Sequence, residues 1–420
     1  MAEQKKSLLF GAQQEVAVEF DPKDPTTWWL AVNAKKGQWL EIAAQMHDHT
    51  MFVAGVPATK FYYDAKVNVE TGAAVSAWYG FDSPAIGLDA YNYEAEAMGA
   101  KMIYSANAMP TIDFREPLVA EKKDLAKLKP AANWLTAKRI PFALENLRLG
   151  AKMGTLRGMF CAPFSLAVGV RSYPLLIRDL RKDPAFAHEL FGRLVDDVLP
   201  SYLKVQRETC GVDMAIGADA WSAFPNLSPG LMEEWVVPYA MKLLQNCMPL
   251  GLTAVTAGSG DYCEERLEKF DKEILFKCFD IQVKMNFGQP VIFLGMGRWH
   301  EYPLAVVAEY LAPYKEKGVR AIITAGINAR LLRDGPVEAI VDNIKRYIDI
   351  LGRDHNLSLF LSSIPADTNP AHIHAAVAAA HTYGALPLAD NLDDVKFEIP
   401  KRESFQEFVA QQSQGYGLSF

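Results

Sequence analysis

The sequence predicts a single α/β protein built as a (β/α)8 TIM barrel with an N-terminal helical extension. Short β-branched or aromatic runs alternate with longer segments in which apolar residues recur at three- and four-residue steps, as expected for repeated βα units around a parallel sheet. The chain has 420 residues, half of them hydrophobic, which is enough to bury the core of one large barrel. One barrel domain with additional segments is therefore the predicted architecture.

The strand pattern occurs eight times, the number that closes a parallel barrel. The predicted strands are residues 51–54, 102–105, 155–161, 213–217, 252–257, 291–295, 320–325 and 358–361. Residues 184–210 and 336–351 are amphipathic and are predicted as helices of the outer ring.

The two ends of the chain differ from this repeating middle. Residues 1–50 are rich in Lys, Gln and Trp, have a weak strand signal and form the predicted N-terminal extension. Residues 51–385 form the predicted barrel domain, and the polar residues 386–420 form a predicted C-terminal tail packed on the barrel.

Composition excludes several classes of function. The net charge of -7, without a basic stripe, argues against nucleic-acid binding. No apolar run approaches the roughly 18 residues of a membrane span. The first ten residues lack the apolar region of a signal peptide, and the five cysteines include no C-x-x-C pair. We therefore expect a cytoplasmic protein with reduced thiols.

Five segments, in the right order, resemble sequence blocks of the uroporphyrinogen decarboxylase superfamily, which also contains corrinoid-dependent methyltransferases. The similarity spans residues 57–384. Residues 92–101 (NYEAEAMGAK) are closer to the methyltransferase branch, with its "EAEALGA" helix, than to the porphyrin branch. The other segments are residues 160–167 (FCAPFSLA), 217–229 (GADAWSAFPNLSP), 325–336 (AGINARLLRDGP) and 369–384. The resemblance implies a barrel and either decarboxylation or methyl transfer.

Departures from the family pattern argue against one of these two activities, the decarboxylation of a porphyrinogen. The decarboxylases grip acidic tetrapyrrole side chains with an arginine-rich N-terminal loop, whereas residues 53–64 here contain only Lys60 as a basic residue. The family's catalytic aspartate corresponds to Asp89, but its late histidine falls at Ser362 or Ser363. Turnover of a porphyrinogen is therefore not predicted.

A zinc site is not predicted either. The thiol-loading methyltransferases of the superfamily carry His-x-Cys-Gly after one strand and another Cys after a later strand, because zinc binds and activates a thiolate through soft ligands. The matching positions here are Val255, Ala257 and residues 326–328, which provide no such ligand.

Polar residues directly after barrel strands are the first candidates for chemistry, because barrel enzymes use the carboxyl ends of their strands. His300 and Glu301 follow the strand 291–295 and are predicted as catalytic, a proton carrier beside a carboxylate. The alternative is a solvent-facing loop pair. Asp89 is predicted as catalytic from the family position, with a helix cap as its alternative.

Substrate contacts are predicted from position and aromatic character. Asp219, Trp221 and Asn226 follow the strand 213–217, and Asn328 follows the strand 320–325. Tyr173 and Trp299 would supply aromatic walls for a flat apolar ligand, and their alternative is ordinary core packing.

The pair His47 and His49 could bind a metal in extended chain. It precedes the first predicted strand, however, which places it at the wrong end of the barrel, so a simple connection is the alternative.

The favoured function is a corrinoid-dependent methyltransferase. It would move a methyl group from a small-molecule donor, such as a methoxylated aromatic in an O-demethylation, to cobalamin presented by a separate corrinoid-binding protein. The alternatives are a decarboxylase or lyase acting on a small non-porphyrin acid, and a barrel that only binds a metabolite. The sequence leaves the oligomeric state open, a homodimer included.

Overall fold

Parallel strands in two sheets form the wall of the barrel. The computed structural model describes residues 19–32, 37–85 and 89–418. One sheet has four parallel strands in the order β1 (Ile42–Ala44), β9 (Asn356–Leu361), β8 (Ile322–Ala325) and β7 (Val291–Leu294). The other has three, β4 (Gly158–Cys161), β5 (Met214–Ala218) and β6 (Thr253–Ala257). A separate antiparallel pair consists of β2 (Met102–Ile103) and β3 (Thr111–Ile112).

Helices cover the outside of this wall. Those preceding β4 are α1 (Pro25–Val32), α2 (Asp48–Ala54), α3 (Ala58–Phe61), α4 (Ala65–Tyr79), α5 (Tyr93–Ala97) and α6 (Ile140–Ala151). Between β4 and β6 lie α7 (Pro163–Arg171), α8 (Tyr173–Lys182), α9 (Pro184–Arg193), α10 (Leu199–Cys210), α11 (Pro229–Trp235) and α12 (Val237–Cys247). The last are α13 (Lys272–Met285), α14 (Ala305–Glu316), α15 (Ala329–Asp334), α16 (Val337–Tyr347), α17 (Pro370–Tyr383) and α18 (Phe405–Gln412). Among the described residues, no helix is long and apolar enough to cross a membrane.

The two faces of each strand have different surroundings, because side chains alternate across a strand. Ile292 of β7 and Ile323 of β8 are paired in register and buried in the core shared with the helices. The next row, Phe293, Thr324 and Ser358, faces the lumen, and the Thr324 and Ser358 hydroxyls lie 3.3 Å apart. Phe293 and Ser358 stay partly exposed, so the lumen is accessible from the mouth.

Side chains bind the strand edges at which the two sheets share no backbone ladder among the described residues. Between β6 and β7, Gln282 donates to the carbonyls of Gly260 and Phe293 and accepts from the Phe293 amide at 2.6 Å. Between β1 and β4, Asp82 accepts from the Ile42 amide at 2.7 Å and Glu94 accepts from the Cys161 amide at 2.8 Å. A buried carboxylate or amide thus satisfies strand-edge groups that would otherwise be unpaired.

The six strands predicted from residue 155 onward are confirmed as β4 to β9, whereas the first was placed wrongly. Residues 51–54 lie in α2, which ends at Gly55 with φ 71°. Left-handed backbone is natural for glycine and terminates a helix. The first barrel strand is β1, inside the segment predicted as an extension. Its sequence IAA is too short and alanine-rich to give a strand signal, and its pairing with β9 determines its conformation.

The second predicted strand also needs correction. Within residues 102–105, only Met102 and Ile103 are extended, and they pair with β3 outside the barrel wall. The described ranges therefore supply a four-stranded and a three-stranded parallel sheet, with Asp82 bound to β1 and Glu94 bound to β4.

The C-terminal segment lies against the helices. In α18, Phe405, Phe408 and Val409 are buried in the same core as Trp28 and Trp78. The Trp78 indole donates to the carbonyl of Glu403 at 3.1 Å. The end of the chain therefore adds apolar contacts to α1 and α4.

Candidate functional site

The carboxyl end of β1 carries the segment His47-Asp48-His49, which corrects the prediction that these residues precede the first strand. Asp48 accepts hydrogen bonds from the Tyr62 hydroxyl and the Met109 amide. His49 is buried, with its ring nitrogens 3.0 Å from the Ala366 carbonyl and 2.7 Å from the Tyr79 hydroxyl. The side chains of Asp48 and His49 are thus occupied by hydrogen bonds within the protein. With both ring nitrogens in use, His49 is not available to bind a metal together with His47.

His47 is less constrained by partners. Its backbone has φ 40°, an uncommon conformation for a residue other than glycine. Its Nδ1 atom is buried and has no hydrogen-bond partner among the described residues. Burial lowers the pKa of His47 to about 4, although Asp48 opposes the shift, so the imidazole is neutral at pH 7. The prediction from the sequence therefore put His47 at the wrong end of the barrel, whereas the structure places it at the mouth.

Asp89 lies at the mouth next to α5 in a fully buried ion pair. One of its oxygens accepts from Arg139 Nη2 at 2.8 Å, and the other accepts from Asn92 Nδ2 at 2.6 Å. Arg139 also binds Glu96 at 2.7 Å. Burial raises the pKa of Asp89 and Arg139 opposes this. Because both carboxylate oxygens are hydrogen-bonded within the protein, Asp89 holds its own segment in place, and the catalytic role predicted for it stays a prediction.

Glu94, one turn further, is a second buried carboxyl. Its Oε1 accepts from the Cys161 amide, while Oε2 has no partner within the described part of the chain. Burial raises the pKa of Glu94 to about 8, so this side chain is largely protonated at neutral pH.

Asp219 is predicted to contact the substrate, but its carboxylate is hydrogen-bonded to serines in the loops after three strands. Its Oδ1 accepts from the Ser165 amide and hydroxyl, at 3.0 and 2.8 Å, and its Oδ2 accepts from the hydroxyls of Ser222 and Ser259, at 2.8 and 2.7 Å. The three serines follow β4, β5 and β6. Since both oxygens are occupied and buried, the carboxylate braces the loops. Burial raises the pKa of Asp219 and the serine hydrogen bonds counteract that shift.

An aromatic pair lies above β4 and β5. The rings of Tyr173 and Trp221 stack with centroids 5.4 Å apart and an interplanar angle of 25°. Phe114 meets Trp221 edge-on at 6.1 Å. The Tyr173 hydroxyl donates to the carbonyl of Asn226 at 2.6 Å, so the exposed Asn226 contributes its backbone here. Trp221 and Tyr173 are both partly exposed, and their roles as substrate contacts stay predictions.

His300 and Glu301 lie in the loop after β7. His300 Nε2 is 3.6 Å from Glu301 Oε2, and the imidazole is 17% exposed while its Nδ1 is buried and unpartnered among the described residues. Burial lowers the pKa of His300, with Glu301 opposing. Glu301 also pairs with Arg298, and Arg346 holds the His300 carbonyl at 2.9 Å. The loop is therefore pinned while the imidazole edge is accessible.

Two neighbours of this loop differ from their predicted roles. Trp299 is 1% exposed and packs edge-on against Tyr302 in the core, so it does not line the mouth. Asn328 caps α15 through Oδ1, and its amide donates to Glu265 and to the Met296 carbonyl. Its side chain braces three loops. Both residues follow a strand. The direction of each side chain and its hydrogen bonds, which the sequence does not show, determine that neither is free to contact a ligand.

The positions aligned with the superfamily's zinc ligands carry no ligating group. Val255 and Ala257 occupy the lumen face of β6, in register with Ile216 and Ala218 of β5. In the part of the chain that the structure describes, no three His, Cys, Asp or Glu side chains lie close enough to hold a metal ion. The residues present do not fit zinc.

Parallel strands with ionisable and aromatic side chains at their carboxyl ends define an α/β-barrel protein. The family model described as Uroporphyrinogen decarboxylase (URO-D) matches residues 41–383. The chain belongs to this enzyme family.

Two individual proteins illustrate the similarity. The chain is 34% identical over 109 residues to "Uroporphyrinogen decarboxylase" of Myxococcus xanthus (strain DK1622), over 24% of this chain and 30% of that protein. It therefore spans under a third of that relative. A "methyltransferase from Methanosarcina mazei" superimposes with a TM-score of 0.59 and 16% identity, covering 86% of this chain and 98% of the other. At this identity the likeness shows a shared fold.

Proposed function

We propose that this protein is a corrinoid-dependent methyltransferase. It takes a methyl group from a small methoxylated aromatic donor and passes it to cobalamin carried by a separate corrinoid-binding protein. The stacked pair Tyr173 and Trp221 beside an apolar lumen is the observation that carries the proposal.

The lumen supports a flat apolar ligand. Met159, Ile216 and Val255 form one in-register row on the lumen face of β4, β5 and β6, and all three are partly exposed. Phe293 and Phe360 face the lumen from β7 and β9. Apolar and aromatic walls with a few polar groups are typical of small-molecule pockets.

The charges near Asp89 favour a neutral ligand over a polyanionic tetrapyrrole. Arg139 is neutralised by Asp89 and Glu96 in buried ion pairs, so it is not available to a ligand carboxylate. Lys60, the basic residue of the segment that aligns with the decarboxylases' arginine-rich loop, is exposed. Removing Arg139 from its carboxylates would leave two buried charges unpaired, which is costly.

Methyl transfer from an ether requires help for the leaving oxygen. As the bond between oxygen and the methyl carbon breaks, the methyl group moves to the partner's corrinoid and the oxygen keeps the electron pair. A proton must then reach that oxygen. His300, with its accessible imidazole edge and Glu301 beside it, is the proposed donor, and such acid catalysis contributes about 100-fold to 10,000-fold.

The test is incubation of the purified protein with methoxylated aromatics and a corrinoid protein in the reduced state. We expect loss of the reduced-cobalt absorbance and a product lighter by one methylene. An unchanged cobalt spectrum across the donor panel, with carbon dioxide released from a small carboxylic acid, would instead favour a decarboxylase. Uroporphyrinogen serves as the control substrate, and we expect no coproporphyrinogen from it.

A further inference from the structure

β1 and β9 are neighbouring strands, and each runs into a residue with left-handed backbone. His47 follows β1 with φ 40°, and Ser363 follows β9 with φ 52°. Residues other than glycine adopt such conformations at a cost in free energy, and they persist only where the surroundings impose them. Observed strain of this kind is concentrated at binding and catalytic sites.

The neighbours of His47 fix its position from both sides. On one side, the backbone of Gln45 continues the ladder with β9: its amide donates to Leu361 at 2.9 Å, and its carbonyl accepts from Ile364 at 3.1 Å. On the other side, Asp48 and His49 are held by the hydrogen bonds described above. The strained residue is therefore held in place by contacts that do not involve its own side chain.

His47 and Ser362 follow adjacent strands at the carboxyl end of the barrel. Ala44 and Met46 belong to the core outside the barrel, so Gln45 lies on the lumen side of β1, and His47 follows it in the turn that begins α2. On β9, Phe360 pairs with the lumen-facing Ala43, and Ser362 continues that face two residues later. The two residues thus lie at the same end of the barrel, next to paired strands.

Each of these side chains has a buried polar atom without a partner in the part of the chain that the structure describes. Nδ1 of His47 and Oγ of Ser362 make no hydrogen bond to any described residue. Ser362 is only 5% exposed. Buried polar groups are nearly always hydrogen-bonded, and an exception calls for an explanation such as a ligand.

We propose that His47 and Ser362 together bind the ether oxygen of the methyl donor. An ether oxygen has two lone pairs, and it would accept one hydrogen bond from the imidazole N–H and one from the serine hydroxyl. The inference rests on the proposed function, because it deepens the substrate class by naming the atoms that recognise the oxygen.

The low pKa of His47 fits this role. A neutral imidazole has one N–H to donate and does not carry a charge into an apolar lumen. The same two hydrogen bonds would become stronger as the ether oxygen gains negative charge during methyl transfer, since charge-assisted hydrogen bonds are the stronger class.

The experiment compares two ligands that differ by one atom, methoxybenzene and ethylbenzene, by calorimetric or fluorescence titration of the full chain. Wild-type protein should bind methoxybenzene about threefold to tenfold more tightly than ethylbenzene, the range of one or two net hydrogen bonds. His47→Phe and Ser362→Ala should each reduce this ratio, and the double variant should bring it close to one. His47→Asn should keep part of it, because asparagine is enriched among non-glycine residues with positive φ and retains an amide donor.

Thr253→Val is the control, since it removes a hydroxyl from an exposed residue at the amino end of β6, away from the barrel mouth. Its ratio should equal that of wild type, and circular dichroism should give each variant the wild-type spectrum. A ratio near one in the wild type, or an unchanged ratio in His47→Phe and Ser362→Ala, overturns the oxygen site. If the affinity ratio changes in the variants as expected but the cobalt spectrum never changes, the oxygen-binding site is supported and the proposed methyl transfer is refuted.

Discussion

Arg139 Nη2 lies 2.8 Å from Asp89 Oδ2 in an ion pair from which water is almost completely excluded. The Nε atom of the same arginine lies 2.7 Å from Glu96. One cation therefore compensates two buried carboxylates, one before α5 and one within it. The aspartate at the family's catalytic position is consequently held in place by the residue that begins α6.

Replacing this arginine should destabilise the fold strongly. Arg139→Leu leaves Asp89 and Glu96 buried without a counter-charge, and breaking a buried pair in this way costs about 3–5 kcal/mol. The free energy of unfolding from urea titration provides the measurement. Arg148→Leu, which removes an exposed pair with Glu145, is the control and should cost about 1 kcal/mol or less. Equal effects of the two substitutions would contradict the assigned role of Arg139.

His374 of α17 offers the opposite case, a buried polar group that weakens the fold. Its ring lies 4.6 Å from the Trp78 ring and 4.8 Å from the Tyr79 ring, and both of its nitrogens are buried without a partner among the described residues. His374→Leu keeps a similar volume and removes two unsatisfied atoms, so it should raise stability by about 1 kcal/mol at pH 7. Differential scanning calorimetry should show a higher Tm, and a lower one would mean that packing of the imidazole matters more than its polarity.

Acidification should widen the gap between His374→Leu and wild type. Burial lowers the pKa of His374 from 6.5 to about 3, and Arg402 adds to the shift. Below pH 6.5 His374 therefore becomes protonated in the unfolded chain but stays neutral in the folded chain. The wild type consequently loses stability as the pH falls toward 3. Between pH 7 and pH 5 this histidine contributes about 2 kcal/mol of that loss. The leucine variant should lack this contribution, which urea titrations at the two pH values would measure.

The sequence predicts the second half of the barrel better than the first, for a physical reason. β7, β8 and β9 contain runs such as VIFL and IITA, whose β-branched and aromatic residues are typical of strands buried on both faces. β1 contains one β-branched residue in three, so its extended conformation comes from pairing with β9. The segment MFVA, residues 51–54, reads as a strand by composition, yet it lies in α2 because its contacts outweigh its propensity.

For the site, position after a strand located the correct loops but did not reveal what each side chain does there. Asp219 and Asn328 both follow strands, and both turn out to be bound to their own loops. His47 was assigned to the wrong barrel end only because β1 was missed. Hydrogen-bond partners and burial therefore separate bracing residues from available ones, and neither can be read from spacing alone.

Metal analysis of the purified protein should find no stoichiometric zinc. Val255 and Ala257 lack donor atoms, and the amide of Asn328 is used by Met296 and Glu265. The measurement is plasma emission spectrometry after dialysis, with zinc-supplemented growth as the stringent condition. One tightly held zinc per chain would refute this prediction and would direct attention to His300 and the carboxylates beside it.

His300→Ala should lower turnover of a methoxylated donor by about 100-fold while leaving the Tm unchanged, because a general acid contributes on that scale and a loop side chain contributes little to the core. The main chain at His300 is held by Arg346 independently of the imidazole, so the loop should keep its shape in the variant. If His300 is instead a solvent-facing residue without a catalytic role, the turnover rate of His300→Ala should equal that of wild type. Glu301→Gln keeps the imidazole but removes the carboxylate that supports its protonation, so it should lower the rate by less than His300→Ala does.

The pH dependence of the wild-type rate supplies an independent check on His300. The acid must be protonated to act, and burial lowers the pKa of His300 below its ordinary 6.5, against the pull of Glu301. Turnover should therefore be highest at low pH and should fall as the pH rises through that lowered pKa, a dependence that His300→Ala should lack. If the variant keeps full activity with the same pH profile, proton donation must come from another group. Glu94, which remains largely protonated at neutral pH because its pKa is about 8, would be the next residue to replace.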